Sequence, residues 1–404
     1  MADDRIFEIR VTSGNEPGSC HVSAGCPGEM ERNQEDIKVP LFSEWANKLL
    51  KLQEALLLEP LNRAVERPPV ADLDVAARGR NFPKDRASPL VLEEIGQSLF
   101  DLLFVRKIYA GFAKNSEKAD RAQVNLRIRL AIETPELSSL PWETLFNASE
   151  RRYLAPSPKT PIVRGNSDDP DLLSPVELPL SVLGFIPEAR GLGSLNVEAE
   201  KANIRNALES ALNSTEFNLG WINPGNASEL VDRLDEPPQG SSSWHVLHFI
   251  GHGGYDDEME AGYIIVDPDV RPFGVPAPSR SAEKLYADDL RAALDTSSGL
   301  RLIVLNSCKG AAATPGVLFS STAERLILQG FPAVVAMQFE ISDQAAIVFS
   351  AVLYRQLARG AQIPEAVTKA RMALKRNQSP EWITPVLYMR TRDGRLFREA
   401  SAAS

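Results

Sequence analysis

Two short apolar runs in this chain stop abruptly at a reactive side chain beside glycine. Residues 244–254 read WHVLHFIGHGG and deliver His252 and Gly253; residues 300–310 read LRLIVLNSCKG and deliver Cys308, Lys309 and Gly310. An imidazole and a thiol at the ends of two buried strands are the makings of a cysteine nucleophile with its base. The thiolate is the attacking species, and the imidazole takes the thiol proton or holds the ion pair. A cysteine that ends a buried strand is, taken alone, more often a small hydrophobe. The histidine–glycine partner makes Cys308 a candidate nucleophile.

The elements that must position the pair follow from the pattern around it. Past residue 180 the chain alternates strand and helix. The expected strands are 180–186 (LSVLGFI), 217–222 (FNLGWI), 244–250 (WHVLHFI), 301–307 (RLIVLNS), 331–337 (FPAVVAM) and 382–390 (WITPVLYMR). Helices are expected over 196–213, 227–234, 320–329 and 342–359, with Ser342 as N-cap of the last and Asp343 in its first turn, and another follows with Pro364 near its start. Apolar runs without alternation, broken by helices of this length, imply a mostly parallel sheet covered on both faces. Ligand sites in such a sheet lie beyond the carboxyl ends of the strands, so His252 and Cys308 project from one edge. His248 shares the face of Trp244, Val246 and Ile250 and reads as a hydrogen-bonded core histidine. His245 points to the other face and reads as structural.

Upstream, residues 5–12 alternate as a strand and the Gly- and Ser-rich stretch after them reads as a loop. That stretch holds Cys20, His21 and Cys26, but C-H-x4-C lacks the closely spaced ligand pairs of a zinc site and no fourth ligand is near, so no metal is expected. Helices are expected over 41–58 (Trp45, Leu49, Leu52 and Leu56 inward) and from Pro89 to Phe112, with a surface connection over 67–88. Residues 124–131 alternate, placing Arg127 and Arg129 outside, and Pro141 suits the start of a short helix that turns Trp142 and Leu145 inward. The acidic, Pro-rich stretch 165–179 reads as a linker. The expected architecture is therefore α/β: a mostly parallel six-stranded sheet flanked by helices over 180–398, preceded by a smaller α+β region over 1–164.

With 404 residues, 43% hydrophobic and 24% charged, the chain can bury a sizeable core in two or three domains. No apolar run nears the ~20 residues that span a bilayer. The first residues, MADDRIFEIR, carry acids where a signal peptide needs a basic region, and three cysteines suit a reducing compartment, so the cytoplasm is the expected location. A net charge of −10 argues against a nucleic-acid surface. The basic end, which includes Arg355, Arg359, Lys369, Arg371 and Lys375, reads as solvated helix faces, with a partner-binding face as the alternative. There is no GxxxxGK[ST], and no GxGxxG follows the first strand, so nucleotide enzymes are disfavoured. The chemistry calls for no cofactor.

The motifs HFIGHGG (248–254), LNSCKG (305–310), GFPAVVAMQFEISDQAA (330–346) with the VFSAVLYRQLARG after it, and the upstream LPWETLFN together resemble a CHAT domain. That domain is a branch of the caspase-like peptidases, which also include metacaspases and separase, and the likeness runs from about residue 89 to residue 390. Caspases place the catalytic histidine about 50 residues before the cysteine, close to the separation here. The resemblance implies a caspase-like fold, Cys308 as nucleophile and His252 as general base and acid. The amides of Gly253 and Cys308 are candidates for the oxyanion hole, glycine at 253 lets substrate backbone approach, and Lys309 favours the thiolate weakly. Asn306 stands where caspases line the specificity pocket. Asp267, Asp269, Glu340 and Asp343 are the acids near the catalytic edge, pointing to a basic or other non-aspartate P1 residue.

The resulting expectation is a cysteine endopeptidase cutting a specific, co-encoded protein partner. It would be a regulated effector in bacterial defence or programmed cell death, switched on by a separate sensor protein, self-association or cleavage. A catalytically silent caspase-like interaction module is the alternative, against which the intact Cys308 and His252 count. Another thiol hydrolase would use the same dyad.

Overall fold

The computed structural model describes residues 4–29, 32–39, 44–45, 47–52, 56, 88–165, 175–177, 179–188, 197–212, 216–256, 258–268, 282–294, 299–307, 320–391 and 394–398. Strand β1 (Arg5–Ser13) buries Phe7, Ile9 and Val11. The Gly- and Ser-rich stretch expected to be a loop instead forms β2 (Ser19–Gly25), antiparallel to β1, and β3 (Asn33–Lys38) follows on its other side. Val22 and Ala24 gain full burial there, and that outweighs a loop-like composition. Cys20 is buried on one face, whereas His21 meets Asp36 at 2.8 Å on the other, and Cys26 gives its Sγ–H to Asn115. The three do not converge. Trp45, Leu49, Leu52 and Leu56 are all buried, as the helical spacing requires. The expected connection over 67–88 lies outside the described residues but for its last residue.

The helix expected to run to Phe112 is two: α1 (Ser88–Leu103) and α2 (Arg106–Ala122). Val105 between them is extended, at φ −67° and ψ 157°. The break lets Phe104 stack on Phe100 at 4.3 Å and meet Phe112 edge-on at 5.0 Å. Then come β4 (Leu126–Ile132), α3 (Pro135–Ser138), a tight turn at Trp142–Thr144, the hairpin β5 (Phe146–Asn147) and β6 (Arg152–Tyr153), and β7 (Ile162–Arg164). Arg127 and Arg129, expected outside, are each 1% exposed. Strand β4 lies inside the sheet with both faces covered, and the guanidinium groups find internal partners. Arg127 donates to Asp4 at 2.9 Å and to Gln362, while Arg129 donates to the Thr391 carbonyl at 2.8 Å. Of the expected linker, residues 166–174 and 178 lie outside the description, but β8 (Val176–Glu177) pairs in parallel with β18 (Phe397–Arg398).

The second half supplies β9 (Leu180–Phe185), α4 (Val197–Glu209), β10 (Phe217–Ile222), α5 (Ala227–Asp235) and β11 (Val246–Gly251). A small antiparallel sheet follows, of β12 (Gly253–Asp256), β13 (Ala261–Val266) and β14 (Glu283–Tyr286), and then α6 (Ala287–Leu294). The chain continues through β15 (Leu302–Ser307), α7 (Ser320–Leu328), β16 (Ala333–Met337), α8 (Asp343–Ala358), α9 (Ile363–Arg376) and β17 (Pro385–Met389). Ser342 caps α8 as expected, its hydroxyl accepting from the Ala345 amide.

Eleven of the described strands form one sheet in the order β10-β9-β11-β15-β16-β17-β7-β4-β1-β2-β3. The six strands expected after residue 180 are consecutive in it and parallel except β17, which runs antiparallel to β16. The N-terminal strands extend that sheet through β7, whose Arg164 pairs with Tyr388 of β17. Alternate residues feed two cores. Val246, Val304 and Val335 pack with Ile204, Phe349 and Leu353 of α4 and α8. Leu247, Phe249 and Leu305 pack with Leu230, Leu290 and Leu326 of α5, α6 and α7. Among the described residues no helix is long and apolar enough to cross a membrane.

A buried ion cluster stands where the two groups of strands meet. Glu143, in the Trp142–Thr144 turn, is fully buried and faces Arg164 of β7 and Arg371 of α9. Arg164 binds both carboxylate oxygens and also donates to the Ser138 and Leu140 carbonyls at 2.9 and 3.0 Å. Gln338, just past β16, joins Glu143 at 3.0 Å and the Ile383 carbonyl at 2.7 Å. Arg371, part of the basic end expected to be solvated, is therefore internal; burial lowers it to about 10, and its guanidinium donates to the Pro385 carbonyl. Removing the shared anion leaves two guanidinium groups unpaired in the core. Glu143→Ala is expected to destabilise the protein by about 3–5 kcal/mol, measured by urea unfolding. A loss below about 1 kcal/mol would show that the cluster does not join the halves.

Candidate active site

Parallel pairing brings the two strand ends that precede the candidate residues to one edge. Gly251, the last residue of β11, pairs with Ser307, the last of β15; His252 follows the first in the chain and Cys308 the second. Neighbouring strands lie about 4.8 Å apart. His252 is 2% exposed, and its carbonyl accepts from the Ile265 amide at 2.8 Å. Cys308 and Lys309 lie outside the described residues, as does Asp269.

Gly253 opens β12, opposite Ile264 of β13. Because the neighbouring pair His252–Ile265 is hydrogen-bonded, antiparallel alternation makes Gly253–Ile264 a non-hydrogen-bonded pair. The Gly253 amide thus points away from β13. Next to it, Tyr263 crosses Gly254 so closely that a Cβ there would come within 2.7 Å of the phenol oxygen. Asp256, at the end of β12, accepts from Lys284 at 2.6 Å and Tyr286 at 2.9 Å, and these bonds hold its carboxyl down to about 2. The Lys284 ammonium sits 4.6 Å over the Tyr263 ring. The sequence reading missed this small sheet, although the alternation in AGYIIV signals a half-buried strand.

The other candidates separate by position. Asn306 is fully buried and donates to Glu200 at 2.6 Å, so it faces the core below the edge rather than an open pocket. Asp267 accepts from the Glu188 and Gly225 amides at 2.9 and 3.0 Å, stapling the segments that leave β9 and β10. Glu340 and Asp343 follow β16 on the same edge as His252, with Asp343 in the first turn of α8. His248 is the core histidine expected. It is wholly buried, with Nδ1 2.8 Å from the Tyr354 hydroxyl and Nε2 3.2 Å from Glu200. Glu200 itself escaped the sequence reading. Its signal was a carboxylate in helical phase with Ile204 and Leu208, on the apolar side of α4.

Most of the chain matches a known family. The CHAT domain matches residues 93–393. The chain belongs to the CHAT domain family. Two crystal structures of the Saccharomyces cerevisiae separase–securin complex are similar to it. One has 15% identity and a TM-score of 0.50, covering 96% of this chain and 30% of the separase chain. The other has 14% identity and a TM-score of 0.49, covering 95% and 30%. This CHAT chain spans less than a third of that separase chain's length. At such identity the likeness speaks for the fold, a caspase-like α/β sheet. No curated protein matches the chain.

His245 is buried at the opposite end of β11, as its structural reading requires, its Nδ1 accepting from the Ser181 amide at 3.2 Å. Burial, with the charge of Arg301, lowers it to about 4. A histidine depressed in the folded state contributes stability that is fully present above its unfolded pKa of about 6.5 and is lost as pH falls towards the folded value. The stability gap between wild type and His245→Asn, which keeps an acceptor, is therefore expected to change by about 3 kcal/mol between pH 6.5 and 4. Urea unfolding at several pH values measures it; parallel curves would refute a neutral buried imidazole.

Proposed function

We propose that this CHAT domain chain is a cysteine endopeptidase. The observation that carries the proposal is the register Gly251–Ser307, because these paired residues immediately precede His252 and Cys308 in the chain. In the proposed reaction His252 accepts the Cys308 proton and the thiolate attacks the scissile carbonyl carbon. The electron pair moves to oxygen, where the Gly253 and Cys308 amides stabilise it. His252 then protonates the departing amine, leaving a thioester, and returns as base for the water that hydrolyses it. The outward aim of the Gly253 amide supports its place in the oxyanion hole.

The substrate proposed is a specific protein partner, co-encoded with this chain, and the enzyme a regulated effector in bacterial defence or programmed cell death. Separase in the similar structures is in complex with securin, and a protein is the partner proposed here too. A separate sensor protein is proposed to activate it. Glu340 and Asp343, beyond the carboxyl end of β16, are the carboxylates proposed to favour a basic P1 side chain.

Electrophilic peptide probes bearing Arg, Lys, Met, Leu or Asp at P1 test this on wild type, Cys308→Ala and His252→Ala. Labelling is expected with Arg or Lys, absent in Cys308→Ala and at least about 100-fold slower in His252→Ala. Labelling that survives Cys308→Ala, or no labelling of wild type with its activating partner present, would leave a silent interaction module. For the substrate, neighbouring gene products incubated with wild type, but not Cys308→Ala, should show new N-termini.

A further inference from the structure

Four elements meet at one oxygen beneath the catalytic edge. The Glu200 carboxylate, 3% exposed in α4, accepts at Oε1 from Asn306 of β15 at 2.6 Å and from Ser350 of α8 at 3.0 Å. The same oxygen lies 3.2 Å from His248 Nε2 on β11. The Tyr354 hydroxyl, held well above its usual range by burial and by Glu200, lies 2.8 Å from His248 Nδ1. A proton on Nε2 lets His248 accept from Tyr354 and donate to Glu200. Asn306 precedes Cys308 by two residues, and His248 precedes His252 by four.

We propose that Glu200 is the positioning residue of the dyad, its buried carboxylate clamping β11 and β15 in the register that brings Cys308 to His252. The proposal rests on the reading of those two residues as nucleophile and base. A buried charge is poor value for stability alone, since apolar side chains of similar volume do as well or better. What this carboxylate supplies is direction. Three donors on three elements are tied to one point, and two of those elements end at the dyad. The backbone ladder fixes the spacing of β11 and β15 but leaves the sheet free to twist and shear locally, and the bonds to α4 and α8 remove that freedom.

The pH dependence of Cys308 alkylation by iodoacetamide, located by peptide mass mapping on the full chain, tests this in wild type, Glu200→Gln, Asn306→Ala and the double variant. His252→Ala is the reference for the dyad. Wild type is expected to react well below the ordinary thiol range of about 8.5. Glu200→Gln, nearly isosteric, is expected to slow reaction at pH 7 by about tenfold and to shift the profile upwards, since a misplacement of about 1 Å costs this much or more. Asn306→Ala should do the same, with no further loss in the double variant, because both break one link. Should Glu200→Gln fold poorly, Asn306→Ala leaves the bonds to His248 and Ser350 and carries the test. A Glu200→Gln profile that superimposes on wild type, with only the unfolding midpoint lowered, would overturn the proposal. A wild-type profile no different from His252→Ala would instead overturn the dyad, and the proposal with it.

Discussion

Parallel pairing of β11 with β15 is the constraint on which the candidate site depends. Hydrogen bonds between parallel strands are evenly spaced, so once Val246 pairs with Leu302 every later pair is set, up to Gly251 and Ser307. Gly251 and Ser307, distant in sequence, are thereby delivered to the same edge. Burial on both faces locks the register: Val304 packs into one core and Leu305 into the other, and a slip by one residue would exchange them.

Two buried carboxylates brace this arrangement, and they differ in kind. Glu143 is paired with full positive charge, in bidentate contact with Arg164 and 3.8 Å from Arg371, and it joins elements from both ends of the chain. Glu200 is met at Oε1 by an amide, a hydroxyl and a histidine beneath the carboxyl edge of the sheet. The first joins the extension of the sheet to its centre; the second reaches β11 and β15, the strands that precede the candidate dyad in the chain. Neither element of the extended sheet is closed off from the other, because β7 and β17 pair directly.

Local patterning read the second half well. Its strands carry unbroken apolar runs, Asn226 and Ser342 cap two of its helices, and each expected element there has a counterpart in the fold. The N-terminal half was less legible. Strand β2 lies in a Gly- and Ser-rich stretch, and pairing with β1 and β3, with the burial of Val22 and Ala24, makes it a strand. The break at Val105 falls between residues with no Gly or Pro, and it accompanies the ring contacts of Phe104 with Phe100 and Phe112. Arg127 and Arg129 alternate as outward charges should, but the chain near Gln362 and Thr391 returns over that face and supplies their partners.

The sequence by itself determined the α/β class, the chemistry on offer at His252 and Cys308, and the core role of His248. Each depends on residue type and on neighbours within a few positions. Only the tertiary structure decided that Asn306 faces a buried acid, that Asp267 staples backbone amides, and that Glu143 and Glu200 are buried. A polar side chain declares its role through the partner it meets. For Asn306 and Glu200 that partner stands 106 residues away in the chain, and no local pattern records such a distance.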